Sequence, residues 1–260
     1  VKHDSPDYYI TVARKIEEET PNSIFLYQYS NQSNPRIHYN TTGPEIWRQT
    51  DGKITHFVTG IGTGGCISGV GKFLKEKNPN IKIIAADPVG SILKEFKEGK
   101  TIGEGTPYLV EGIGQDCIPQ VIAFDVIDEF RSSNDFDSFN CARALTRQEG
   151  IFCGGSTGTI LKVVLEIAAE LDENAVIVFI VCDTGERYLS KFHKEEWLRE
   201  NRLMKKEIRT LSDITNSKKL RSGNSEIVFV NSNEKVRKVV ELFDTKGFSQ
   251  VPVIEDYKSV

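Results

Sequence analysis

A chain of 260 residues is long enough to bury one large domain, or a domain with part of another, and its 38% hydrophobic and 27% charged residues describe an ordinary globular protein. A formal net charge of −4, with bases and acids interleaved as in "KFLKEKNPNIK", argues against a nucleic-acid surface, and no apolar run reaches the ~18 residues of a membrane span. Five scattered cysteines without a C-x-x-C pair, and four histidines without ligand spacing, argue against a disulfide framework or a metal site and for a reducing cytoplasm.

Asp4 is placed to cap a helix running to about Glu19, with Ile10, Ala13 and Ile16 on one face. "SIFLYQY" then reads as a buried strand and "SNQSNPRIHYNTTG" as a polar loop. Thr42 and Glu45 have the spacing of a capping box, and Pro44 suits the first helical turn. "THFVTG" predicts a strand. The glycine turn "GIGTGGCISG" follows, then a helix with Ile67, Val70, Phe73 and Leu74 at helical spacing, and "IKIIAAD" completes a β-α-β unit. "VIAFDVI" is strand-like, and Asp135 or Asp137 opens a helix that carries Phe139, Ala142 and Leu145 and stops at Gly150. A second glycine turn, "GGSTGT", leads into the apolar helix "ILKVVLEIAAEL" and the β-branched strand "AVIVFIVCD". A charged helix through Trp197 follows.

Strands alternating with helices predict an α/β fold with a mainly parallel open sheet and helices on both faces. This first domain should span residues 1–200. Residues 201–225 read as a linker, and 226–260 as the start of a small β-α-β module, with "IVFV" and "QVPVIED" as its strands.

The first glycine turn admits two ligands. Gly60, Gly62 and Gly65 satisfy the G-x-G-x-x-G dinucleotide fingerprint, and Asp87 stands about 20 residues on, where a ribose-binding carboxylate would be. That fingerprint normally follows the first strand of its domain, whereas here two helices, a strand and a loop precede it. The turn is also lined by Thr59, Thr63, Cys66 and Ser68, and small polar side chains at a helix N-terminus suit a compact phosphate monoester. A second opening at "GGSTGT" could take an aromatic ring attached to that phosphate, with Ser156 toward the ring and Gly62–Cys66 toward the phosphate. Pyridoxal phosphate has those two ends.

"NPRIHYNTTGPEIW", "VTGIGTGGCISGVGKFLKEKNP", "DPVGSI", "VEGIGQDCIPQV", "EGIFCGGSTGT" and "ERYLSKF" occur in the order and spacing of the cystathionine β-synthase and cysteine synthase family, and the resemblance covers residues 1–200. It implies a fold-type-II pyridoxal-phosphate enzyme that carries out β-replacement on serine or an activated serine. Gly62, Thr63, Gly64, Gly65 and Cys66 match the loop that binds the cofactor phosphate, and Cys66 stands where threonine is frequent. Ser156 matches the serine at the pyridine nitrogen, with Cys182 and Asp183 beside that end. Gly112, Ile113 and Gly114 match a segment lining the substrate cleft. A hydroxyl at the ring nitrogen favours β-elimination and replacement over transamination.

The tail resembles the first half of the regulatory module named after cystathionine β-synthase, which implies a small-molecule effector. The resemblance further implies amino-acid and thiol substrates and a cytoplasmic homodimer, with no metal. The family's Schiff-base lysine and its carboxylate-gripping loop lie upstream of every motif matched, so no catalytic residue is nominated within the chain. Lys191, in "ERYLSKF", is not a candidate. The chain is therefore expected to begin part-way through a catalytic domain and to be inactive alone, with apolar surface exposed along Ile67–Leu74. Cystathionine formation leads, because of the tail. Cysteine synthase stays close, because Gln115 stands where cystathionine-forming relatives commonly carry tyrosine. An inert regulatory protein and a nicotinamide or flavin dinucleotide enzyme are the readings of other classes.

Overall fold

The computed structural model describes residues 5–204, 228–247 and 250–255. The chain divides into two compact units, Val1–Met204 and Lys205–Val260. In the first, four parallel strands form one open sheet: β1 (His56–Gly60), β2 (Lys82–Pro88), β3 (Glu129–Ser133) and β4 (Ile177–Phe179), in the order β3-β2-β1-β4. The helices are α1 (Tyr9–Glu19), α2 (Ser33–Asn40), α3 (Thr42–Gln49), α4 (Gly65–Lys77), α5 (Leu93–Lys97), α6 (Asp135–Glu149), α7 (Gly155–Ala168) and α8 (Glu195–Glu200).

Both faces of the sheet are apolar because both are covered. Successive strand residues point to opposite sides, so Phe57, Ile83 and Ala85 pack on Ile67, Val70 and Leu74 of α4. Their neighbours Val58, Ile84 and Ala86 pack on Ile160, Val163 and Ile167 of α7. This is the sandwich of helices around a parallel sheet that the alternating pattern predicts. Asn134 sets the start of α6, its side chain accepting the Asp137 N–H at 2.8 Å, and Gly150 ends the helix at φ +72°.

Five local expectations change. "SIFLYQY" joins no sheet among the described residues: 23–27 carry no regular secondary structure, 28–29 enter a turn, and Ile24 and Leu26 are 76% and 68% exposed. Apolar alternation there has no neighbouring strand to complete a ladder. The polar loop is a helix, α2, whose residues Pro35 and His38 approach Gly69 of α4 so closely that a Cβ there would collide with them. Ile67, Val70 and Leu74 are fully buried against the sheet rather than exposed. The capping box does not form: α3 starts without a side-chain cap, and the Thr42 hydroxyl pairs with His38 Nδ1 at 3.1 Å. Finally, β3 lies at Glu129–Ser133, and "VIAFDVI" instead lays Ile122 and Ile127 against α4 with one short 3-10 turn. A run buried on one side gives the same apolar signal whether or not it pairs.

In the second unit Val230–Asn231 pairs in parallel with Val253–Ile254, joined by a helix over Val236–Lys246 that Gly247 ends at φ +64°. Val236 and Val240 on that helix are exposed. Asp4, the linker from Lys205 to Ser225, and Ile227 of "IVFV" fall outside the described residues.

Candidate functional site

The turn between β1 and α4 is built for close backbone approach. Gly64 is the N-cap of α4 at φ +85° and no N-cap side chain closes the helix, so apart from Gly65, whose N–H leans on Thr63, the N–H groups of its first turn stay available to an anion. Thr63 Oγ1 accepts the Asn34 amide at 3.1 Å and the Gly65 N–H at 3.5 Å. A Cβ at Gly65 would run into Asn34, one at Gly64 into Ile122, and one at Gly62 would stand 2.8 Å from the Gly112 carbonyl oxygen. Burial pushes the Cys66 thiol up to about 11, with the Thr59 hydroxyl opposing. Cys66 is thus a neutral thiol and offers no charge to repel a phosphate.

The segment Gly112–Gly114 lies directly on this turn. Gly112 and Gly114 have φ of +86° and +78°, and the Gly114 N–H donates to Ile61 O at 2.7 Å. Ile113 fills the space over Gly60, where a Cβ would meet it at 2.7 Å. Together the two segments enclose a cleft of about 600 Å³ that Cys182, Tyr108 and His38 also line. Neither a carboxylate nor a lysine occurs among its described lining residues. Burial lowers the pKa of His38.

Ser156 and Asp183 do not line the cleft. Ser156, 4% exposed, opens α7. Its neighbour Thr157 accepts the Cys182 N–H at 3.1 Å, while the Cys182 thiol, raised in pKa by burial, interacts with the Ser156 hydroxyl. One layer, Cys182, therefore stands between Ser156 and the open cleft. Asp183 turns away: Oδ2 accepts the Tyr188 hydroxyl at 2.7 Å, and Oδ1 is buried without a partner against Gly154. Lys191 pairs with Glu111, the residue before Gly112, and lies 6.0 Å from the Tyr188 ring centre. Asp87 is fully buried, so it is not placed to meet a ribose.

The geometry brings Gly62, Thr63, Gly64, Gly65 and Cys66 together with Gly112, Ile113 and Gly114, and sets Ser156 one residue behind them. Open N–H groups, a threonine hydroxyl and a cleft free of carboxylates fit a pyridoxal-phosphate monoester. Sequence reasoning missed Asn34, which braces Thr63, and the cleft residues Gln28, Tyr29 and His38. They come from the segment 23–29 and α2, and only the motif "NPRIHYNTTG" hinted at them.

A parallel α/β sheet with helices on both faces and an anion-receptive glycine turn at a strand's C-terminal end defines a class of cofactor-binding enzyme domains. The chain belongs to the pyridoxal-phosphate dependent enzyme family, whose model matches residues 1–183. It is 50% identical over 194 residues to a protein of Apis mellifera named cystathionine beta-synthase, covering 75% of this chain and 38% of that one. It is 38% identical over 278 residues to the cystathionine beta-synthase of Saccharomyces cerevisiae, covering 97% and 54%. A cysteine synthase B of Pseudomonas aeruginosa is 39% identical over 179 residues, covering 69% and 55%. The chain thus spans about half the length of these relatives or less.

Proposed function

We propose that the protein carrying this chain performs pyridoxal-phosphate-dependent β-replacement on L-serine, joining it to homocysteine to form cystathionine. The observation that carries this is the contact of the Gly62–Cys66 turn with Gly112–Gly114, which sets a phosphate site and an amino-acid cleft side by side. Likeness to relatives named cystathionine beta-synthase, in one case over 97% of the chain, supports the choice of product.

In this reading the N–H groups and Thr63 of the turn hold the cofactor phosphate. Cys66 contributes a neutral, weak donor there. Ser156 is the hydroxyl assigned to the ring nitrogen, on which it would not keep a proton; Cys182 lies between it and the cleft, and Asp183 is held behind that end by Tyr188. Gly112, Ile113 and Gly114 line the amino-acid side, and of the three only Gly112 is exposed. When bound, the cofactor supplies the electron sink that lets a serine lose its α-proton and β-substituent. The lysine that takes the proton belongs to a part of the protein outside the motifs matched here. We assign residues 1–200 to the catalytic domain, 201–225 to a linker and 226–260 to the first half of a regulatory module with a small-molecule effector. The assembly proposed is a cytoplasmic homodimer. Among the described residues no helix is long and apolar enough to cross a membrane.

Cysteine synthesis from an activated serine and sulfide is the second reading, favoured by Gln115 in the cleft and by the cysteine synthase B relative. Assaying the full-length protein with the cofactor separates the two. Cystathionine from serine and homocysteine is the expected product. Cysteine from O-acetylserine and sulfide alone would move the assignment, and no product from either pair would overturn both.

A further inference from the structure

Asp87 is the penultimate residue of β2, is fully buried, and has no hydrogen-bond partner on either carboxylate oxygen. An isolated ionised carboxylate in such a place is strongly disfavoured. Burial raises its pKa to about 7, with the Ser91 hydroxyl and the Lys94 N–H and charge pulling the other way from outside hydrogen-bond range. The charged or titratable groups that bear on it are Lys94 of α5 and Tyr108 of the cleft wall. Its register partner in β3, Ser132, is uncharged, and the adjacent Arg131 is held by Glu129 and Glu170.

The residues that follow Asp87 form the platform under the cleft. Gly90 O accepts the Thr106 N–H at 3.0 Å, and Gln115 O accepts the Ile92 N–H at 2.9 Å. Ser91 Oγ accepts the Gln115 N–H at 3.1 Å and the Leu93 N–H at 3.4 Å. The Pro88 ring lies against Gly114. With two N–H donors on its oxygen, Ser91 has only its own proton left to give, and the Asp87 carboxylate is the neighbouring acceptor.

We propose that Asp87 is a positioning residue for the amino-acid substrate: through Ser91 its carboxyl sets the placement of Gly112–Gln115, so that ionising it changes substrate affinity and leaves maximal turnover alone. The inference rests on the assignment of Gly112–Gly114 to the substrate cleft. When the carboxyl is neutral, the turn 88–93 keeps the arrangement described. On ionisation the proton leaves to solvent, and the carboxylate draws the Ser91 hydroxyl and the Lys94 N–H toward β2. The Ser91–Gln115 bond carries that shift to the cleft.

Two measurements test this on the full-length protein. Infrared difference spectroscopy without cofactor should show a protonated carboxylic-acid band that is lost between about pH 6 and pH 8 and is absent from Asp87→Asn. Calorimetric titration of the cofactor-loaded protein with L-serine should show affinity changing at least about fivefold over the same window, the lower end of coupling between sites. Asp87→Asn should abolish that change while retaining maximal turnover. Ser91→Ala should keep the band but uncouple it from affinity. A carboxyl that titrates in the ordinary range, or an affinity profile unchanged in either variant, overturns the proposal. A titrating band in a protein that binds no serine at any pH overturns the substrate role and the functional reading together.

Discussion

Gly62 has no room for a side chain, because its Cβ would stand 2.8 Å from a backbone oxygen, and backbone yields less readily than a flexible side chain. Gly62→Ala is therefore expected to push the phosphate turn and the Gly112 segment apart. Overpacking of this kind costs about 1–3 kcal/mol, and titration of the full-length protein with the cofactor, followed by visible absorbance, should show affinity lower by roughly tenfold or more. Asp87 makes a stability prediction of opposite sign. Its folded pKa, about 7, lies above the ordinary carboxylate value of 3.8. The unfolded chain therefore ionises first as pH rises, and the folded state loses stability from about pH 4 to pH 7 and no further above that. Asp87→Asn removes this loss. Relative to the native chain it should gain up to about 4 kcal/mol across that window, read by chemical denaturation at several pH values. Of these residues the glycines were legible in the sequence, since two polar glycine turns need special backbone and a nearby ligand. Asp87 was not: its spacing suggested a ribose contact, and only three-dimensional burial shows it to be enclosed.

At the scale of elements, the two helices that carry the ligand turns tolerate change differently. Gly158 of α7 packs against α6, and a Cβ there would fall 2.8 Å from Ala142 N and collide with Ser138 O. A Cβ at Gly71 of α4 would meet side-chain carbons of Val126 and Ile83, the nearest being Val126 Cγ2 at 3.0 Å. Alanine is favoured over glycine in a helix by about 1 kcal/mol, so that gain offsets the crowding at Gly71 and not at Gly158. Gly158→Ala should lower the midpoint of thermal unfolding, with a cost of about 1–3 kcal/mol, while Gly71→Ala stays near neutral. Periodicity found α4, α6 and α7 because each lays one apolar stripe on a neighbour. It misplaced β3 because "VIAFDVI" is apolar for a different reason, covering the N-terminal half of α4. It missed α2 because Asn, Pro and Ser in that stretch signal a loop, whereas tertiary contact with Gly69 makes it a helix.

For the molecule as a whole, the segment 23–27 joins no sheet among the described residues and offers two large exposed side chains, Ile24 and Leu26. Large apolar side chains exposed side by side invite association with other chains. Residues 1–260 expressed alone should scatter light in a concentration-dependent way. Ile24→Lys with Leu26→Lys should reduce that scattering while leaving the far-ultraviolet circular dichroism unchanged.

The direction of the sheet sorts the chain into two ends. Because all four strands run the same way, the segments that leave their C-terminal ends lie at one end of the sheet: 61–66 after β1, 89–92 after β2 and 180–183 after β4. At the opposite end lie the exposed turns near Asp51 and Asp172–Asn174, and none of their residues lines the cleft. Mutational drift, insertions and affinity tags therefore have one permissive pole. Substitutions at the exposed loop Asp172–Asn174 should be tolerated there, whereas one at Gly52, at φ +68° where a Cβ would stand 2.8 Å from Trp47, should not, and the other pole changes only as a single unit.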